Sequence, residues 1–164
     1  MKLKTHMTAV ALAIPALCLH CGQALAQDTA TATLPISADA LYTFLSDLSK
    51  HRAFLEPAAM NFQGTVDTHS YVIEVMGMKM PQELVAKART PGQLVTLVPG
   101  AKKMFDHELR FEIAPSGEGS TLRLVDEADI PMMMQMMGAE KLLQGQLDSA
   151  LARIQTLADA GQLA

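Results

Sequence analysis

Hydrophobic positions change their period twice along the chain, and the changes mark its elements. Leu41, Phe44, Leu45 and Leu48 recur at helical spacing. Ser37 before them is a suitable N-cap, and Asp39 in the first turn suits the helix dipole. A second short helix is expected over Ser49–Phe54, stopped before Pro57. Thr31–Ile36, ahead of both, reads as a first strand. The period then falls to two. Phe62, Gly64 and Val66 alternate, Asp67-Thr68 reads as a turn, and Tyr71–Met80 predicts one long apolar strand ended by Pro81. Leu84, Ala86 and Ala88 face away from Glu83, Lys87 and Arg89. Thr90-Pro91-Gly92 is a turn signal, and Leu94–Val98 is a short strand. Phe105, His107, Leu109, Phe111 and Ile113 share one strand face, with Asp106, Glu108, Arg110 and Glu112 on the other. Pro115–Ser120 predicts a turn and Thr121–Ile130 the last strand. The period then returns to that of a helix in Leu143, Leu147, Ala150, Leu151, Ile154, Leu157 and Ala158, with Gly161 at the expected stop.

Short turns between successive strands predict an antiparallel sheet. One long amphipathic helix then closes over one face, so the fold class is α+β. About six to seven strands are expected.

The N-terminus departs from this pattern. Lys2 and Lys4 precede an apolar stretch from Ala9 to Leu19, and Ala24-Leu25-Ala26 offers small residues at a cleavage site. Residues 1–26 therefore read as a cleavable secretory signal, with the cut before Gln27. The stretch is too short to span a bilayer, which takes roughly 20 apolar residues. Residues 27–32 are polar and small and read as a linker; 33–164 form the domain. The expected location is the periplasm or the exterior.

Cleavage changes the composition that matters. Both cysteines, Cys18 and Cys21, leave with the signal, which excludes a disulfide, a thiol nucleophile and a thiolate metal site. Losing Lys2 and Lys4 moves the net charge from −4 to −6, which argues against nucleic acid as a partner. Trp is absent and Met abundant, and flexible thioethers suit an adaptable apolar lining.

Ile36-Ser37-Ala38-Asp39-Ala40-Leu41-Tyr42-Thr43-Phe44-Leu45-Ser46-Asp47-Leu48 resembles the opening of START-like, or SRPBCC, domains. Gly117-Glu118-Gly119-Ser120-Thr121-Leu122 resembles their penultimate hairpin, and the long last helix matches too. The resemblance covers residues 31–160. It implies the helix-grip fold, a curved sheet wrapped on the C-terminal helix, and a deep apolar pocket for lipid-like ligands. Some members are cyclases or hydrolases. It implies no catalytic residue and no cofactor. The tryptophan often found after the first helix is missing.

Among candidate chemistry, His107 is the most pointed. Its parity puts it on the dry face of its strand, and Asp126 shares the face of Leu122, Leu124, Ala128 and Ile130. A register bringing Ile113 near Thr121 or Leu122 would join the two side chains, able to orient a ligand's polar head or act as a base. Phe62, Phe105, Leu109, Phe111, Leu143 and Leu147 are the expected apolar walls. Met133 and Met137, within the run Met132–Met137, are expected in an adaptable lid. The partner is a hydrophobic small molecule, with transient contact to membrane lipids compatible with it. A cyclase or hydrolase on the same fold is the first alternative. The second is a copper(I) site, because Met76, Met78 and Met80 alternate near His69 and soft thioethers select that ion. No G-x-S-x-G, phosphate loop or zinc spacing is present.

Overall fold

A computed structural model describes residues 26–75 and 77–163. The expected signal peptide, apart from Ala26, lies outside the described residues. Seven strands form one antiparallel sheet: β1 (Ala26–Leu34), β2 (Met60–Gly64), β3 (Thr68–Val75), β4 (Met78–Thr90), β5 (Leu94–Pro99), β6 (Asp106–Ser116) and β7 (Gly119–Asp129). Their order is β1-β7-β6-β5-β4-β3-β2, so β1 and β2 form the edges. Between β1 and β2 run α1 (Ala38–Leu45), a 3-10 turn (Leu48–His51) and α2 (Arg52–Leu55). After β7 come α3 (Met132–Met136) and the long α4 (Ala139–Asp159). The α+β class and the strand-then-helix order are as the hydrophobic periods predict.

Local chemistry starts these elements. Ser37 Oγ accepts a hydrogen bond from the Ala40 N–H at 3.3 Å, capping α1. Leu41, Phe44 and Leu45 are then buried on one side of that helix. On α4 the buried row is Leu143, Leu147, Leu151, Ile154 and Ala158. From Leu147 onward it packs with Leu34, Leu122, Leu124, Phe111 and Ile113 into one core. Gly117, at φ 59°, takes the first central position of a two-residue turn between Ser116 and Gly119, where a left-handed conformation is needed. The expected six-residue turn at Pro115–Ser120 is thus shorter, with Pro115 and Ser120 paired in the ladder.

Two further expectations change. Gln27–Ala32 is not a linker: it lies in β1, paired with β7 from Gln27↔Glu127 to Ala32↔Leu122. Its small polar residues belong to an edge strand with one partner. Tyr71–Met80 is not one strand either. β3 ends at Val75, Gly77 takes φ 79°, and β4 returns with Val75↔Met78 in register. Pro81 does not stop β4, because β5 pairs with β4 only from Leu84 onward. On that side Pro81 faces no strand, so its missing N–H breaks no ladder there.

Candidate functional site

A chamber of about 90 Å³ lies between the sheet and α4. Phe111 and Leu124 line it from the sheet, Leu143 and Leu147 from the helix, and Phe105 and Leu109 from β6 and the loop before it. It is continuous in its walls with an outer groove of about 640 Å³ between α2, β3 and α4. Phe54, Leu55, Tyr71, Ile73, Leu142, Gln146 and Ala150 line both. The pocket is therefore a small inner chamber under a wide groove.

One wall of the chamber is polar. His107 Nδ1 donates to Asp126 Oδ1 at 2.9 Å, with Oδ2 at 3.2 Å. Ile113 pairs with Leu122, the register that brings the two side chains together. Asp126 is 4% exposed, so the contact is made away from water. The other ring nitrogen of His107, Nε2, has no protein hydrogen-bond partner among the described residues. Asp28 is the register partner of Asp126 on β1. Burial first, and the Asp126 charge second, raise its carboxyl above the usual range. Its Oδ2 is buried without a partner.

Tyr71 and Gln82 complete the polar wall as direct register partners on β3 and β4. Burial, with a lesser push from Asp126, raises the Tyr71 phenol to about 12, so it stays a hydrogen-bond donor at neutral pH. The Gln82 Nε2 is buried with no partner. Sequence reasoning misses both residues. The signal is available in parity, since Gln82 shares its strand face with Leu84, but ending the strand at Pro81 hides it. Gln146 also lines both spaces, a polar residue beside the apolar row of α4.

Of the expected ligand-contacting residues, the structure gathers Phe105, His107, Leu109, Phe111, Asp126, Leu143 and Leu147 around the chamber. Three lie elsewhere. Phe62 packs edge-on against His69, with ring centroids 5.5 Å apart, outside both spaces. Met133 and Met137 are on the surface, 73% and 51% exposed, because α3 packs only Met134 inward. No residue of Met132–Met137 lines the chamber or the groove. The described members of the copper grouping are not assembled either. Met76 lies outside the described residues, and Met78 and Met80 sit beside the β3–β4 turn. His69 pairs with Leu84, four residues along β3 from the Ile73 that faces Met80, or about 13 Å.

His51 and His69 form a second buried pair, with ring centroids 5.1 Å apart. His51 Nε2 donates to the Leu45 carbonyl at 2.8 Å. The Leu48 carbonyl lies near His69 without hydrogen-bond geometry, and both ring nitrogens of His69 are unpartnered. Burial lowers His51 to about 4 and His69 to about 3, so both rings are neutral. Phe54, Phe62, Phe111 and Tyr71 surround them, which makes the pair part of the core.

No family model and no curated protein matches the chain. Solved structures do. A START superfamily protein from Mycobacterium smegmatis superposes with a TM-score of 0.65 at 15% identity, over 82% of this chain and 97% of that one. A Thermus thermophilus protein, TTHA0849, gives 0.65 at 18% identity, over 82% and 98%. The di-domain ARO/CYC StfQ from the steffimycin biosynthetic pathway gives 0.66 at 16% identity, over 83% of this chain and 51% of its own. With a seven-stranded antiparallel sheet wrapped on one long C-terminal helix, the chain has the START-like, helix-grip fold that its opening helix and Gly117–Leu122 hairpin resemble.

Proposed function

We propose that this protein binds an apolar or amphipathic small molecule between the sheet and α4, and that it does so outside the cytoplasm. The observation that carries the binding reading is the two-part cavity: an apolar groove leading to a chamber with one polar wall. The sizes divide the work. The chamber of about 90 Å³ admits only the end of a ligand. The groove of about 640 Å³ falls in the range of roughly 300–1,000 Å³ usual for small-molecule sites. Burying the ligand's apolar body stabilises the complex by about 25 cal/mol per Å². His107 and Asp126 orient its polar end.

The chamber's lining includes no Ser, Thr, Cys or Lys among the described residues, so a cyclase or hydrolase on this fold would use the His107–Asp126 pair as an acid–base rather than to activate such a side chain. Export is supported by the basic start, apolar stretch and small-residue cut site alone.

Titration with a dansylated fatty acid tests the reading. Saturable binding is expected, and Ala150→Trp, on the wall shared by chamber and groove, should abolish it while the circular dichroism stays native. Absence of saturable binding to the unmodified protein, or full binding by a folded Ala150→Trp variant, would overturn it.

A further inference from the structure

The outer groove holds a cation with no partner. Arg153 lines it, half-buried. The other four arginines of the described residues each hold a carboxylate: Arg52 with Glu56, Arg89 with Asp67, Arg110 with Glu127, and Arg123 with Glu112. Arg153 alone enters no ion pair and no side-chain hydrogen bond among those residues. Its direction follows from helix geometry. At 100° per residue, position 153 falls within about 20° of both 142 and 146, whose side chains line chamber and groove. The Cα of Arg153 therefore lies in the same sector of α4, about 10 Å along the axis beyond that of Gln146.

The rest of the rim leaves that charge uncancelled. Lys141 is an exposed cation on the same helix, and Glu74 is exposed on the facing strand. An arginine offers a planar fork of donors that matches a carboxylate with two parallel hydrogen bonds. Arg153 is half-buried and has no carboxylate partner among the described residues, and a ligand carboxylate supplies one. At the other end of the cavity the Gln82 amide nitrogen is a buried donor without an acceptor.

We infer that the ligand is an amphipathic monoanion: a carboxylate on Arg153 at the outer end, an apolar body along Leu55, Ile73 and Ala150, and a hydrogen-bond acceptor on Gln82 at the inner end. This rests on the binding reading above. It assigns the ligand a direction, charged end outward and neutral oxygen inward.

Calorimetric titration with dodecanoate, dodecanol and ω-hydroxydodecanoate at neutral pH tests it. Dodecanoate should bind about tenfold more tightly than dodecanol. Arg153→Gln should close that gap, and Arg153→Lys should retain part of it. The ω-hydroxyl should tighten binding further, and Gln82→Leu should remove that increment alone. Equal affinity for acid and alcohol, or a gap that survives Arg153→Gln, overturns the anion assignment and leaves the binding reading standing. An ω-hydroxyl without effect overturns the inner acceptor. If no probe binds, the binding reading itself fails, and this inference with it.

Discussion

His107 and Asp126 meet two residues off register, on the diagonal of one sheet face. Across β6 and β7 the direct partner of His107 is Ala128, and that of Asp126 is Leu109. Their side chains close the diagonal to 2.9 Å, within the reach of diagonal neighbours on one sheet face. Removing one member of a buried pair costs more than removing both, because the survivor loses its partner without regaining water. His107→Leu should therefore cost about 3 kcal/mol, and His107→Leu with Asp126→Leu distinctly less. Urea unfolding of the two singles and the double checks this. A double variant weaker than either single would rule out the pairing as the source of the loss.

Asp28 faces Asp126 on the other side, a like-charge pair in direct register. Its carboxyl is raised above the ordinary value, so the folded state holds a proton more readily than the unfolded one. Stability is then lost as pH rises through the carboxylate range. Asp28→Asn should raise stability at neutral pH by up to about 1 kcal/mol, measured as a higher urea midpoint. The gain should shrink in acid, where Asp28 is already protonated.

The two buried imidazoles act in the opposite pH direction. Their folded values, about 4 for His51 and about 3 for His69, lie below the ordinary 6.5. The unfolded chain thus takes up protons that the folded chain refuses. Their contribution is intact above pH 6.5 and falls as pH drops toward 4, by about 1.4 kcal/mol per pH unit for each ring. Thermal midpoints recorded across that window should decline, and His69→Phe should flatten the slope by roughly half. An unchanged slope in a folded His69→Phe variant would count against this account.

Gly145 sits inside α4, and a Cβ added there would meet no atom within 4 Å. It lines the outer groove. Gly145→Ala should therefore stabilise the protein by about 1 kcal/mol through helix propensity, seen as a higher thermal midpoint. Gly145→Leu should keep the fold but weaken binding of the dansylated fatty acid, by filling the groove. Unchanged binding in that variant would show that the ligand does not pass this stretch of α4.

β1 begins at Ala26 and pairs with β7 through Leu34. Cleavage after Ala26 removes only the first rung of that ladder. N-terminal sequencing of protein recovered from outside the cytoplasm should read Gln27-Asp28-Thr29. A cut well inside β1 would strip an edge strand, so a start beyond Thr31 would contradict the proposed site.

The readable part of the fold is the part governed by local pattern. The alternation from Phe105 to Ile113 predicts β6 and its dry face, and that parity with the one on β7 is enough to single out His107 and Asp126. Misreadings come where two strands touch. Tyr71–Met80 carries apolar residues on both sides of the Gly77 turn, so no break in hydrophobicity marks the hairpin. Gln27–Ala32 is strand only because β7 lies beside it. Met133 and Met137 read as lining because hydrophobicity alone does not say which way a short helix turns.

The sequence by itself determined the α+β order, the start of α1 and the dry faces of β6 and β7. These depend on side-chain period and capping within a few residues. Only the tertiary structure decided what meets across the cavity: Tyr71 with Gln82, Asp28 with Asp126, and Arg153 at the far end of a groove, paired with no carboxylate among the described residues. Those meetings depend on strand register and helix rotation, which join residues up to about a hundred positions apart.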